Sequence, residues 1–224
     1  MVMSGTSLRV VAFTDFHGNN DAFAKARHLI GDGRWDCVVV AGDVVNHDLE
    51  LAKRRLKELA GVGVPLFFVP GNMDNPELAS WPGTNSVRSL HGRSATVGTA
   101  FLVGLGGSPP GPFRTPFEIR DEKATQLMGE AVAGFSKGTL VLVSHCPPMN
   151  TRLDTVPSGE HAGSIPVRGF IERFKPTLVI SGHIHEARGI DSIGETTLIN
   201  PGPARGNYAE ITLNNKASVT IRNF

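Results

Sequence analysis

The chain has 224 residues, which fits one domain because domains usually contain roughly 100–200 residues. Its 22 Lys and Arg oppose 21 Asp and Glu, so the formal charge of +1 creates no global field that attracts nucleic acid or an anionic membrane. Two cysteines cannot build a disulfide framework, no apolar run approaches the ~20 residues of a membrane span, and Met1–Leu8 lacks the features of a secretory leader. We therefore expect a cytoplasmic, soluble protein with a single domain over residues 1–224.

Five continuous apolar runs bounded by turn residues predict strands that are buried on both faces. In chain order they are Leu8–Thr14, Asp36–Ala41, Val64–Val69, Thr139–Ser144 and Thr177–Ser181. Helical periodicity occurs between them, in Asn20–Ile30, Asp48–Ala60, Asp121–Phe135 and Pro166–Phe174. This alternation of strands and helices predicts βαβ crossovers and an α/β architecture.

Three further stretches have a different pattern. Ser86–Gly104 is apolar without helical period and should supply additional strands. Thr196–Phe224 alternates apolar and polar residues, which favours antiparallel strands that close a sheet. Gly104–Pro116 contains seven Gly and Pro residues within its first nine positions, so we expect it to form an irregular, shaped loop.

Each of the five apolar runs is followed directly by side chains that can bind a metal ion. These side chains are Asp15 and His17, Asp43, Asn72 and Asp74, His145, and His183 and His185. Any one of these motifs alone can be explained as a helix cap, a turn residue or a buried histidine. Five of them in chain order, each after an apolar run, are not explained in that way. Ligands of open α/β sheets bind outside the carboxyl ends of the strands, so the five loops are predicted to converge. Imidazole, carboxylate and amide donors without thiolate suit Mn²⁺, Fe, Zn²⁺, Co²⁺ or Ni²⁺ and disfavour Ca²⁺.

The ordered motifs D-x-H, G-D, G-N-x-D, S-H and G-H-x-H, spread from Val10 to Pro201, resemble those of the calcineurin-like metallophosphoesterases. Shorter stretches around Gly106, Pro147 and Asn200 are similar to the small prokaryotic single-domain phosphoesterases of that family. The resemblance implies an α/β fold, namely a four-layer α/β/β/α sandwich of two mixed sheets. It also implies a dinuclear centre of two divalent transition-metal ions at the strand ends.

The resemblance further implies how the ligands divide between the two ions. One ion would take Asp15, His17 and His185, the other Asn72, His145 and His183, and Asp43 would bridge both. Two such ions can activate a bridging water and clamp a phosphoryl group, so we expect in-line attack on phosphorus by metal-bound hydroxide. Asn72 could also donate a hydrogen bond to a phosphoryl oxygen. Asp74 could orient a histidine, either His17 or His91, by accepting its second ring proton.

Met73 departs from the family pattern. Many members carry histidine at this position, where it stabilises the transition state and protonates the leaving oxygen, whereas a thioether has no proton to donate. This difference favours small phosphodiesters or activated phosphate esters over alkyl monoesters.

His161, in the Gly-rich segment Ser158–Ser164, could be a replacement acid or a solvated loop histidine. Arg114 could pair with a phosphate or be a plain surface charge, and Arg205 is more typical of a turn than of a substrate wall.

The leading interpretation is a metal-dependent phosphoesterase, in which a phosphodiesterase is favoured over a monoesterase. One alternative is a non-catalytic or weakly catalytic protein-interaction scaffold on the same fold, although all seven ligand positions keep competent side chains. Another is a nuclease, but the +1 charge and the lack of a basic stripe argue against tight nucleic-acid binding. We expect a small phosphate-ester substrate, no membrane partner, and, by resemblance, a homodimer through an edge strand near the C-terminus.

Overall fold

A computed structural model describes residues 7–224, so the start of the chain, where we expect no secretory leader, lies mainly outside the described residues. The described residues form twelve strands: β1 Leu8–Phe13, β2 Cys37–Ala41, β3 Leu66–Val69, β4 Val87–Ser89, β5 Ser94–Val97, β6 Ala100–Leu105, β7 Thr139–Ser144, β8 Leu178–Ile180, β9 Gly189–Ile193, β10 Thr196–Asn200, β11 Asn207–Leu213 and β12 Ala217–Asn223. The same residues form five α-helices: α1 Asn20–Asp32, α2 Leu49–Ala60, α3 Glu77–Ser80, α4 Asp121–Val132 and α5 Ile165–Phe174.

The strands form two six-stranded mixed sheets. The first sheet has the order β12-β11-β1-β2-β3-β4, with β1 to β4 parallel and the C-terminal pair β11 and β12 antiparallel. The second has the order β5-β6-β7-β8-β10-β9, with parallel β6, β7, β8 and β10 between two antiparallel edge strands. The carboxyl ends of β1, β2 and β3, and of β7 and β8, therefore point the same way within their sheets.

Alternating side chains of the central strands divide between two apolar layers. In β1, Val11 and Phe13 pack toward α1 and α2, whereas Val10 and Ala12 pack against the second sheet. A third layer buries the other face of the second sheet against α4 and α5. Because these strands are covered on both faces, their sequences are continuously apolar. The result is a four-layer α/β/β/α sandwich, which confirms the predicted fold class.

Helix capping explains where the first two helices begin. The Asn19 side chain accepts a hydrogen bond from the backbone N–H of Ala22, and the Asp48 side chain accepts one from Leu51, each at 2.9 Å. These bonds satisfy N–H groups that have no partner inside the helix. Both helices therefore start directly after the loops that leave β1 and β2.

The C-terminal strands differ from the prediction. They do not close one sheet, since β10 belongs to the second sheet and lies parallel to β8, while β11 and β12 extend the first. The sequence pattern also missed β9, a half-exposed edge strand, because its polar residues Asp191 and Ser192 hide the alternation.

Ser86–Gly104 supplies β4, β5 and β6, as predicted. Within residues 7–224, every helix is too short or too polar to cross a membrane.

Candidate metal centre

The loops that follow β1 and β2 run side by side beyond the end of the sheet. The backbone N–H groups of Asp15, His17 and Gly18 donate in turn to the carbonyls of Gly42, Asp43 and Val44 at 2.9–3.0 Å. This ladder fixes the position of the first two motifs relative to each other. Asp15, His17 and Asp43 all have positive φ, at 56°, 47° and 51°, as does His183 at 67°. Such strained residues persist only where the surrounding structure over-determines them, which is common at functional sites.

His145 connects the second sheet to this edge of the first. Its Nδ1 lies 2.8 Å from the carbonyl of Ala41, and its own carbonyl accepts a hydrogen bond from Gly182 at 3.0 Å. The ring lies against Gly42, where φ is +95° and an added Cβ would collide with the imidazole. Glycine at this position therefore lets the two sheets approach closely enough to share one site.

The first predicted ligand set converges on one point. The Nε2 atom of His185 lies 3.2 Å from Asp15 Oδ1 and 3.2 Å from His17 Nε2. His17 Nε2 is in turn 3.8 Å from Asp15 Oδ1. Ligand atoms about 2.1 Å from one ion are separated by about 3.0–3.4 Å, so these spacings are close to those of a coordination shell.

The second predicted set lies directly beside the first. His145 Nε2 is 2.9 Å from Asn72 Oδ1, and the His145 and His183 rings meet edge to face with centroids 5.1 Å apart. Asp43 lies between the sets, because its Oδ2 atom is 3.6 Å from His145 Nε2 and also 3.6 Å from His17 Nε2. All seven residues predicted as metal ligands are thus brought to one edge of the sandwich.

The hydrogen bonds around the site leave metal-binding atoms available. His145 Nδ1 lies beside a carbonyl, which only accepts, so in the neutral ring this nitrogen carries the proton and Nε2 keeps its lone pair. His17 Nδ1 lies 3.0 Å from Asn46 Oδ1, another acceptor, so His17 Nε2 likewise keeps its lone pair in the neutral ring. Asp15 Oδ1 is buried and has no hydrogen-bond donor within residues 7–224. Facing lone pairs and an orphaned carboxylate oxygen fit bound cations.

Burial and neighbouring charges shift the pKa values of the site strongly. Burial raises the pKa of Asp15, but the His185 imidazole 3.2 Å from its Oδ1, the nearby His145 and the hydrogen bond from Thr14 outweigh it and lower the value to about 2. Burial raises the pKa of Asp43, and His145 opposes this only in part. Burial also lowers the pKa of His183 to about 3, which keeps that ring neutral and able to coordinate a metal.

Asp74 does not orient a histidine, so the role predicted for it is wrong. Its two carboxylate oxygens accept hydrogen bonds from the backbone N–H groups of Gly71, Val44 and Val45 at 2.8, 3.1 and 2.9 Å. His17 has Asn46 as its second partner, and His91 accepts a hydrogen bond from the N–H of Gly106 at 2.9 Å. Asp74 instead ties the loop after β2 to the loop after β3.

His161 and Arg114 lie in the loops that flank the site, and neither has a hydrogen bond or ion pair to the seven predicted ligands. His161 is paired with the buried Asp154. Arg114 is exposed on the Gly/Pro loop, which is anchored beside the site by hydrogen bonds from Gly107 to the Pro70 carbonyl and from Phe117 to the Asn72 carbonyl. Their proposed roles therefore depend on contacts with substrate.

The structure adds one residue that the sequence pattern undervalued. Arg205 lines a cleft of about 210 Å³ together with Asp15, His17 and His185, and Asn19. The preceding residues, Asn-Pro-Gly-Pro, are typical of a turn, and Arg205 does lie in a turn. Only the fold reveals that this turn borders the metal centre.

We predict that Asp74→Ala lowers the free energy of unfolding of the metal-free protein by about 3 kcal/mol or more, because three buried N–H groups lose their hydrogen-bond acceptor. Asp74→Asn keeps one oxygen acceptor, so its free energy of unfolding should fall by less. Urea unfolding of both variants, with the exposed Asp21→Asn as control, checks this. If the free energy of unfolding of Asp74→Ala lies within about 0.5 kcal/mol of the parent value, the structural role is contradicted.

Comparison with known proteins agrees with this geometry. A family model described as calcineurin-like phosphoesterase matches residues 8–187. An uncharacterised protein of Methanocaldococcus jannaschii is 32% identical over 203 residues, 88% of each chain. One solved structure superposes with a TM-score of 0.82 at 22% identity and covers 97% of this chain and 99% of its own.

Two more distant solved structures that share the fold are named as enzymes. An archaeal phosphodiesterase has a TM-score of 0.51 at 16% identity, with 96% of this chain and all of that chain covered. The 5′-nucleotidase of Candida albicans has a TM-score of 0.59 at 12% identity, with 97% of this chain and 51% of that chain covered. The family model confirms the resemblance based on the five motifs. The chain belongs to the calcineurin-like phosphoesterase family.

Proposed function

We propose that this protein hydrolyses small phosphate esters with two divalent transition-metal ions bound at the candidate metal centre. The observation that carries the proposal is the position of Asp43, whose Oδ2 atom is equally distant from one imidazole of each ligand set. One ion is assigned to Asp15, His17 and His185 and the other to Asn72, His145 and His183. The mixed nitrogen and oxygen donors suit Mn²⁺, Fe, Zn²⁺, Co²⁺ or Ni²⁺.

When bound, two such ions would polarise the phosphate group and lower the pKa of a coordinated water molecule. The protein's own residues hold that arrangement in place. Asn46 and the Ala41 carbonyl orient the rings of His17 and His145. The backbone N–H of Met73 donates to Asp43 Oδ1 at 2.8 Å, which leaves Asp43 Oδ2 directed at the two imidazoles. Asn72 presents a side-chain amide beside them for a phosphoryl oxygen.

Replacing Asp43 tests the dinuclear site. We expect Asp43→Asn to reduce the bound metal from two ions per chain to one or none, measured by elemental analysis after loading with Mn²⁺ and desalting. Activity should fall by more than the roughly 10–100-fold that loss of an outer partner of a ligand costs. In the metal-free state the variant should unfold at a higher temperature than the parent, because a buried negative charge beside Asp15 is removed.

The exposed Asp21→Asn variant is the matched control and should bind metal as the parent does. A parent protein that binds a single ion with every metal offered would contradict the dinuclear assignment. A parent that binds two ions but hydrolyses no ester would instead favour the scaffold alternative.

Met73 is the basis for proposing diesters or activated esters as substrates. The residue is only partly buried, and its backbone is fixed between Asp43 and His47. A thioether at this position cannot protonate an alkoxide that leaves from an unactivated monoester. Esters whose leaving oxygen needs little protonation, such as p-nitrophenyl diesters, should therefore react faster.

We predict that the parent prefers bis-p-nitrophenyl phosphate to glycerol phosphate, and that Met73→His raises kcat/KM for glycerol phosphate about tenfold or more. Met73→Gln, of similar size but without a proton to transfer, is the control. Steady-state kinetics with both substrates check this. Equal effects of His and Gln, or a parent preference for glycerol phosphate, would contradict the explanation.

His161 is proposed as a partial substitute for the missing family histidine, weak enough that the preference for activated esters remains. Its Nδ1 atom lies 2.8 Å from Oδ1 of Asp154, a fully buried carboxylate that also accepts backbone hydrogen bonds from Thr151 and Gly163. Because the carboxylate accepts the Nδ1 proton, the acid form of the ring carries its second, transferable proton on Nε2, on a side chain that is 40% exposed. The loop is joined to the residue after His145, since the Cys146 thiol contacts the Ala162 carbonyl at 3.8 Å.

We predict that His161→Gln lowers kcat on an alkyl diester by about 10²-fold and leaves kcat on bis-p-nitrophenyl phosphate nearly unchanged, because only the alkyl leaving group needs the acid. Kinetics with both substrates, and with the surface variant His28→Gln as control, measure this. An equal loss on both substrates would indicate a structural role, and no loss would exclude the proposal.

A further inference from the structure

Arg205 extends the candidate metal centre on the side of the first ligand set. The cleft that it lines also contains Asp15, His17 and His185, so an anion seated over those residues faces the arginine. The side chain is exposed, and within the described part of the chain its guanidinium makes no hydrogen bond or ion pair. The positive charge is therefore available to a ligand.

The turn that presents Arg205 is held firmly against the metal-binding loops. The N–H of Ala204 donates to the Thr14 carbonyl at 2.8 Å, one residue before Asp15, and Ala204 is fully buried. Asn200, at the end of β10, donates to the Ile184 carbonyl at 2.8 Å and accepts from the N–H of Gly202 at 2.9 Å. Both loops that supply ligands of the first set thus position this arginine.

The cleft places Arg205 and the first ligand set within reach of one small anion. Its volume of about 210 Å³ is enough for a phosphate group and a few more heavy atoms. A phosphate group seated over the first ligand set can therefore contact Arg205 directly. A planar guanidinium matches two phosphate oxygens through two parallel hydrogen bonds.

We propose that Arg205 binds the phosphate group of the substrate and is a specificity-determining residue for esters whose phosphate is anionic. This inference rests on the proposed function for its substrate class, but the arginine can be tested by binding alone. Arg205 would stabilise the bound phosphate and contribute little to proton transfer, so its removal should affect binding more than turnover.

The first experiment measures binding of inorganic phosphate by calorimetry to protein that is loaded with Mn²⁺ and desalted. We expect Arg205→Gln to weaken phosphate binding about tenfold or more, and Arg205→Lys to recover part of the loss because it keeps the charge but not the fork. Arg27→Gln, which removes an exposed charge on α1 away from the cleft, should bind phosphate as the parent does. Unchanged phosphate affinity in Arg205→Gln would overturn the inference.

The second experiment separates this inference from the proposed function. With bis-p-nitrophenyl phosphate, Arg205→Gln should raise KM about tenfold while kcat and its pH profile change little. If the parent hydrolyses no ester but phosphate binding still depends on Arg205, the proposed function fails and the arginine site stands. If the parent is active and neither KM nor phosphate affinity changes in the variant, the arginine site fails and the function stands.

Discussion

The rest of the site depends on two buried carboxylates that have too few hydrogen-bond donors. Asp43 Oδ2 and Asp15 Oδ1 both face imidazole nitrogens, and Asp15 Oδ1 has no hydrogen bond in residues 7–224. Burying a carboxylate without compensation is costly, so such groups are normally paired or bound to a metal. The neighbouring Asp74 shows the other solution, because three backbone N–H groups surround its oxygens. Cations are the natural complement of the first two carboxylates, and backbone amides already satisfy the third.

The backbone around these carboxylates is strained, and the strain is supported by the fold. Asp15, His17, Asp43 and His183 adopt left-handed conformations that cost non-glycine residues about 1–2 kcal/mol each. The ladder of N–H to carbonyl bonds between the loops after β1 and β2 holds three of them. Asp74 ties the same ladder to the loop after β3, so its carboxylate stabilises the geometry of ligands that it does not touch. The site is therefore preorganised by loop-to-loop hydrogen bonds as well as by the sheets.

The strand ends explain how much the sequence alone could predict. A buried parallel strand has a continuous apolar sequence, and the residue after it must lie at the carboxyl edge, so the convergence of the seven side chains was predictable from order and spacing. The hydrogen-bond partners of Asp74 could not be predicted, because they are backbone N–H groups and the type of a residue does not show where its backbone will lie. Arg205 was undervalued for a similar reason, since a turn sequence does not reveal what it faces. The alternation in Thr196–Phe224 likewise could not show that β10 and β11 belong to different sheets.

The distribution of charge connects the metal centre to the kind of substrate proposed for it. The chain as a whole has a formal charge of +1, which provides no long-range attraction for a polyanion. Two divalent ions would formally add four positive charges at one edge of the sandwich, and Asp15 and Asp43 would offset two of them. Arg205 adds a further positive charge at the same cleft. Because this excess lies at one edge of the sandwich, it favours a single phosphate group over an extended nucleic acid, whose neighbouring phosphates would find no comparable attraction.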